Sequence, residues 1–161
     1  HRPSNVDDPV KLGGLLDALS FVSQTIPVVF PVHPRTRKMM ETAGLSAKAD
    51  GFPGLRQVDP LGYLDFLALT SQARLILTDS GGLQEESTAL GIPCLTLREN
   101  TERPVTVEVG SNVLVGTDPE AVKREAAKIL NGQGKKGRIP DLWDGKAAER
   151  IADVYARFLK A

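Results

Sequence analysis

Nine consecutive residues, Thr78-Asp79-Ser80-Gly81-Gly82-Leu83-Gln84-Glu85-Glu86, hold the densest chemistry in this 161-residue chain. A short apolar run ends in Ser-Gly-Gly and passes straight into a helical pattern. Two glycines let the main chain approach a ligand closely, and the unpaired N–H groups of a helix's first turn form an anion site. Ser80 adds a hydroxyl donor. The string is neither a GxGxxG nor a Walker A sequence, since a third glycine and a Gly-Lys-Ser/Thr ending are absent. A helix cap with a permissive turn accounts for the same residues, and acidic residues early in a helix favour the positive end of its dipole. Gln-Glu-Glu exceeds what that needs. Glu86 falls four residues after Gly82, on the helix face of the anion site, while Glu85 is rotated about 100° away. A carboxylate at 86 repels phosphate but accepts hydrogen bonds from sugar hydroxyls beside one.

Elements of two alternating kinds must position these groups. Apolar residues at near-helical spacing predict a helix over 10–24, weakened by Gly13-Gly14 and preceded by Asp7, Asp8 and Pro9 as start signals. Short apolar or β-branched runs predict strands at 28–32, 55–58, 75–78, 93–97 and 112–115. Helices are predicted at 34–43, 63–71, 83–90, 119–131 and about 147–159, with loop at 45–54 and a flexible basic turn at 132–137. Residues 105–109 fit either a strand or a short helix or turn. Such alternation predicts an α/β fold, a doubly wound, Rossmann-like parallel sheet with helices on both faces.

In an open parallel sheet, ligands bind outside the carboxyl ends of the strands. His33-Pro34-Arg35, Asp59 to Gly62, Asp79 to Gly82, Arg98 to Pro104 and Gly116-Thr117-Asp118 all fall there. Arg103, in a proline-terminated loop, suits a diphosphate; a solvated loop arginine is the plainer reading, as it is for Arg98. His33 reads as a structural histidine, Cys94 as core, Lys135-Lys136 as a solvated turn, and Trp143 and Tyr155 as packing the last helix onto the body. Residue types alone thus reach a nucleotide- or phosphate-binding half-domain.

Composition bounds the rest. With 41% hydrophobic and 25% charged residues the chain is ordinary globular protein. Twenty basic residues balance twenty acidic ones, which argues against nucleic acid or a membrane surface as partner through bulk charge. No apolar run reaches membrane-span length. One cysteine allows no internal disulfide and fits a reducing cytoplasm. Two histidines and one cysteine are too few for a structural zinc site. The chain opens on His1-Arg2-Pro3 without an initiator methionine and reads as part of a longer protein.

Five strings occur in order: His1-Arg2-Pro3-Ser4-Asn5-Val6-Asp7, Pro31-Val32-His33, Asp59-Pro60-(x)2-Tyr63-Leu64-(x)-Phe66, the run from Leu77 to Glu86, and Thr101-Glu102-Arg103-Pro104. Together they resemble the carboxyl-terminal domain of the non-hydrolysing UDP-N-acetylglucosamine 2-epimerases, over nearly the whole chain. The resemblance implies that residues 1–161 form the UDP-binding half of a two-domain architecture like that of B-type glycosyltransferases. It implies interconversion of UDP-GlcNAc and UDP-ManNAc by elimination of UDP and its re-addition to a 2-acetamidoglucal, with no nicotinamide or metal cofactor. By motif, Phe66 would meet uracil largely through its backbone, Glu86 the ribose hydroxyls, and Ser80, Gly81 and Gly82 the phosphates. Arg103 and His1 would lie near the diphosphate and the sugar, with His1 the catalytic candidate. Two positions depart from the family pattern, Ser4 where a glutamate is frequent and Leu61 where a polar residue stands, so Leu61 would serve uridine through its backbone.

The acids that handle the C2 proton belong, in that family, to an amino-terminal domain, so the chain alone is expected to be inactive. A strand is expected immediately before His1, and its absence to bare the backbone of neighbouring strands. The resemblance further implies a cytoplasmic, homodimeric protein serving surface-polysaccharide synthesis. A stand-alone nucleotide-sugar-binding module and the donor domain of a B-type glycosyltransferase are the competing readings.

Overall fold

Strands and helices alternate through residues 1–159, the part of the chain that the computed structural model describes. The strands β1 (Val28–Pro31), β2 (Leu55–Val58), β3 (Ile76–Thr78), β4 (Cys94–Thr96) and β5 (Asn112–Leu114) each lie inside their predicted runs, and every pairing is parallel. The fold is α/β, with helices flanking parallel sheets. Helix starts follow local chemistry. Asp8 caps α2 (Pro9–Ser23) by accepting from the N–H groups of Val10 at 2.8 Å and Lys11 at 3.3 Å. Asp118 does the same for α8 (Pro119–Leu130). Nδ1 of His33 accepts from the Arg35 N–H at 3.1 Å and caps α3 (Pro34–Thr42), the structural role expected of that histidine. Helix α6 (Gly81–Leu90) stops at Gly91, whose φ of 68° suits glycine.

Several expectations need correction. The predicted loop at 45–54 contains α4 (Ser46–Asp50), and the first residues, for which no element is predicted, form the short helix α1 (Pro3–Val6). Local sequence favours a loop at 45–54, but Ala49 is fully buried in a core shared with Met40, against which Leu45 packs, and this stabilises the turn of helix. Residues 104–108 resolve as the helix α7 (Pro104–Glu108), opened by its proline. Lys135 is exposed, as a turn residue should be, but its Nζ also donates to the carbonyls of Val107 and Asn112. Gly137 makes that possible, because it lies so close to the Gly110 main chain that no side chain fits between them.

The final helix α9 (Ala147–Phe158) forms but buries none of its residues, and Tyr155 is exposed rather than packed on the body. Trp143 is half-buried. Ile151, Val154, Tyr155 and Phe158 repeat at i, i+3, i+4 and i+7, an apolar stripe facing solvent.

The strands form two separate sheets, β1-β2 and β3-β4-β5. Among the described residues no strand lies between β1 and β3. A cavity of about 880 Å³ occupies that place, walled by Val28, Val29 and Phe30 on one side and Ile76, Leu77 and Thr78 on the other. Leucines of α2 line it, as do Phe66 and Leu69 of α5 (Tyr63–Ser71). Two apolar cores follow the same division. Leu15, Ala18 and Val22 of α2 pack with Leu95, Val115, Val122 and Ala126, while Leu12 and Leu16 pack with Val6, Val32, Met40 and Ala49. Gly14 lets α2 approach α8: a Cβ there would stand 2.5 Å from Cγ of Pro119.

Candidate functional site

At the carboxyl ends of β1 and β3 the cavity opens onto the polar rim. Strand β3 delivers Thr78, whose Oγ1 accepts from the Ser80 N–H at 3.0 Å, and the chain enters α6 at Gly81. Ser80 holds the N-cap position in extended conformation without its side chain capping the helix. The early N–H groups of α6 therefore lack the side-chain partner a capping serine usually supplies. Neither glycine is demanded by the protein around it. A Cβ at Gly81 would meet only Oε2 of Glu102 at 3.9 Å, and one at Gly82 nothing within 4 Å. Both have φ outside the left-handed region, so among the described residues neither conformation nor packing demands glycine there.

Gln84, Glu85 and Glu86 then fan out around the helix as the 100° step per residue requires. Glu86 lines the cavity mouth with Ser80 and Gly82. Glu85 turns away to pair with Nε of Arg103 at 2.9 Å. Gln84 points inward and is fully buried. His1, Leu61 and Phe66 line the same cavity as Glu86, so six of the eight predicted site residues surround one space. Gly81 and Arg103 do not line it; Gly81 sits at the helix start beside it, and Arg103 stands across α6 with Glu85.

The loop bearing Arg103 is held at both ends. Arg98 forms a two-pronged ion pair with Glu102 at 2.8 and 2.9 Å, which holds the Glu102 carboxyl down to about 2. Arg98 is thereby a partner of its own loop and not a solvated side chain. The Arg103 N–H donates to Oγ1 of Thr101 at 2.9 Å.

Asp79 has a role that its place in the string did not disclose. Its Oδ2 accepts from the main-chain nitrogens of His1 at 2.6 Å and Arg2 at 2.8 Å, and from Nδ2 of Asn5 at 3.2 Å. Asn5 also donates to the Leu97 carbonyl at 2.9 Å. Burial alone would raise the Asp79 carboxyl, but the charged amino group of His1 and the donors at Arg2 and Asn5 outweigh it and hold it below the usual value. This carboxylate pins residues 1–5 to the rim. The His1 ring in turn stacks on His33, centroids 4.6 Å apart. Cys94 is core as predicted, fully buried, and burial pushes its thiol up to about 11.

Among the described residues no cluster of three or more histidines, cysteines or carboxylates is placed to hold a metal ion. Nor, among the described residues, is any helix long and apolar enough to cross a membrane. The arrangement can hold an anion at the α6 start and a hydroxyl-bearing group one helical turn further on.

Comparison with known proteins gives a consistent picture. Residues 1–156 match the family model described as UDP-N-acetylglucosamine 2-epimerase. The UDP-N-acetylglucosamine 2-epimerase of Methanococcus maripaludis is 42% identical over 150 residues, covering 86% of this chain and 41% of that protein. The UDP-2,3-diacetamido-2,3-dideoxy-D-glucuronate 2-epimerase of Pseudomonas aeruginosa is 38% identical over 158 residues, covering 98% and 43%. The crystal structure of Methanocaldococcus jannaschii UDP-GlcNAc 2-epimerase in complex with UDP-GlcNAc and UDP superposes with a TM-score of 0.84 at 39% identity, over 98% of this chain and 43% of that one. The chain spans less than half the length of these relatives.

Proposed function

Because this chain belongs to the UDP-N-acetylglucosamine 2-epimerase family, we propose that it is the UDP-holding half of an enzyme that interconverts UDP-GlcNAc and UDP-ManNAc. The observation that carries this reading is the start of α6. Two glycines without a steric reason inside the chain open a helix at the cavity mouth, and Glu86 lines that mouth one turn later. The α6 start receives the diphosphate, with Ser80, Gly81 and Gly82 offering a hydroxyl and main-chain N–H groups. Glu86 accepts from the ribose hydroxyls. Leu61 and Phe66 border the uracil through their backbones. Arg103, its Nε edge held by Glu85, stands ready for the diphosphate, and His1 for the sugar side.

In the reaction, the C2 proton is removed as UDP departs from C1, leaving the 2-acetamidoglucal. UDP then adds back to C1 while C2 receives a proton on the opposite face. What this half contributes is charge stabilisation of the departing UDP, which must be released and recaptured without diffusing away. The acids that move the C2 proton come from the amino-terminal domain, so residues 1–161 bind UDP but do not epimerise. The full protein works in the cytoplasm and supplies surface polysaccharide.

The test is the full-length protein with UDP-GlcNAc in heavy water. Formation of UDP-ManNAc with deuterium at C2 is expected. Unlabelled product, or transfer of the sugar to an acceptor, refutes the reading. The relative from P. aeruginosa is named for a more elaborate UDP-sugar, so the same assay is run with that substrate; preferential turnover of it would move the substrate assignment while leaving the UDP site in place.

A further inference from the structure

We infer that Gln84 is a positioning residue, which sets the main chain of Arg103 relative to the α6 start through a buried hydrogen-bond network. Gln84 is wholly inaccessible, yet it touches both the α6 start and the loop that carries Arg103. Its Nε2 donates to the Ser80 carbonyl at 3.2 Å, at the head of α6. Its Oε1 accepts from Oγ1 of Thr101 at 2.6 Å and from Nδ2 of Asn112 at 3.2 Å. Thr101, its proton committed to Gln84, accepts from the Arg103 N–H at 2.9 Å. Nδ2 of Asn112 also donates to Oγ1 of Thr106 at 3.1 Å, and Thr106 donates to the Arg103 carbonyl at 2.7 Å. Thr96 completes the set by donating to Oδ1 of Asn112 at 2.7 Å.

Both main-chain polar groups of Arg103 thus end on hydroxyls that this network orients. Every proton has one direction. Reversing the Gln84 amide would aim its NH2 group at the NH2 of Asn112 and leave the Ser80 carbonyl facing an oxygen, so the amide orientation is fixed by its neighbours. Buried polar groups are costly unless satisfied, and a leucine at 84 would fill the same space without any partner requirement. The network is better explained by where it holds Arg103 than by stability.

The inference rests on the reading of Arg103 as a diphosphate ligand, and the experiment separates the two. Binding of UDP and of uridine is measured by calorimetry in the full-length protein, for wild type, Arg103→Ala, Gln84→Met, Thr101→Val and the double variant Arg103→Ala/Gln84→Met. Gln84→Met is expected to weaken UDP about ten-fold while leaving uridine within about two-fold, the effect of misplacing one charged hydrogen-bond donor. In the Arg103→Ala background the Gln84 change should cost nothing further. A role in stability alone would lower the melting temperature and leave the UDP-to-uridine ratio of the folded protein unchanged, which would overturn the inference. If Gln84→Met does not fold, Thr101→Val carries the same expectation from the half-buried end of the network. If Arg103→Ala leaves the UDP-to-uridine ratio as in wild type, the reading of Arg103 fails first, and the inference with it.

Discussion

Adjacent glycines in α2 offer a sharp test of how the fold is built. Helix propensity treats Gly13 and Gly14 alike: alanine at either should stabilise by about 0.8–1 kcal/mol, since glycine surrenders the most backbone freedom on folding. Their surroundings differ. A Cβ at Gly13 would reach only Cδ2 of Leu45 at 3.9 Å, an ordinary contact. At Gly14 it would stand 2.5 Å from Cγ of Pro119, with Cβ and Cδ of the same ring at 3.7 Å. Carbon atoms prefer about 3.5–4.0 Å, so the α2–α8 spacing would have to open by about 1 Å. A proline ring cannot swing aside as a flexible side chain does, and Pro119 opens α8 beside its cap Asp118. Overpacking of this kind costs about 1–3 kcal/mol. Gly13→Ala should therefore stabilise by about 1 kcal/mol, while Gly14→Ala should destabilise by about 1 kcal/mol after its propensity gain. At about 2–4 °C per kcal/mol for a domain of this size, the melting temperatures should differ by roughly 4–8 °C. Thermal unfolding followed by circular dichroism, with urea titration to check an unchanged m-value, measures this. Equal stabilisation by both alanines would refute the close helix contact.

Glu86→Ala should weaken UDP roughly ten- to a hundred-fold and erase the preference for UDP over its 2′-deoxy analogue in calorimetric titration. Glu85→Ala removes only the half-exposed pair with Arg103 and should cost less than about 1 kcal/mol in the same assay. Asp79→Ala should destabilise by about 2–3 kcal/mol in urea, because the donors at His1, Arg2 and Asn5 lose their acceptor. Cys94, its thiol raised to about 11 and sealed from solvent, should resist an aromatic disulfide reagent in the native protein at about pH 8 and react at once in denaturant.

Strand positions were legible because each is a short apolar run between breakers, and the divergence of Glu85 from Glu86 because helical geometry is periodic. Ser80, Gly81, Gly82 and Arg103 follow from one rule, that loops after parallel strands converge, whereas His1, Leu61 and Phe66 rest on the family resemblance. What local pattern could not supply was partnership across the chain. Nothing beside Gln84 in sequence indicates that Thr101 and Asn112 would satisfy its amide; its clue was a polar triplet richer than a helix start requires. Asp79 gave no sign of its donors, which lie 74 to 78 positions earlier. Helix α4 and the hydrogen bonds of Lys135 depend likewise on distant contacts, Ala49 in a core of other elements and Gly137 against Gly110. The stripe on α9 was visible as a helix; its exposure was not, because periodicity says that a face needs covering and not by what.

Division of the strands into two sheets bears on how the chain comes apart. The sheets share no backbone ladder, and each has its own apolar core, so the natural cooperative units are the β1-β2 half and the β3-β4-β5 half. Helix α2 belongs to both, giving Leu12 and Leu16 to one and Leu15, Ala18 and Val22 to the other. It acts as a hinge pin: loosening it releases both halves together, whereas loosening either sheet leaves the other half of its surface engaged. Its amides should therefore be among the slowest to exchange with solvent, opening only in whole-molecule unfolding, while those of β2 exchange through a smaller, local event.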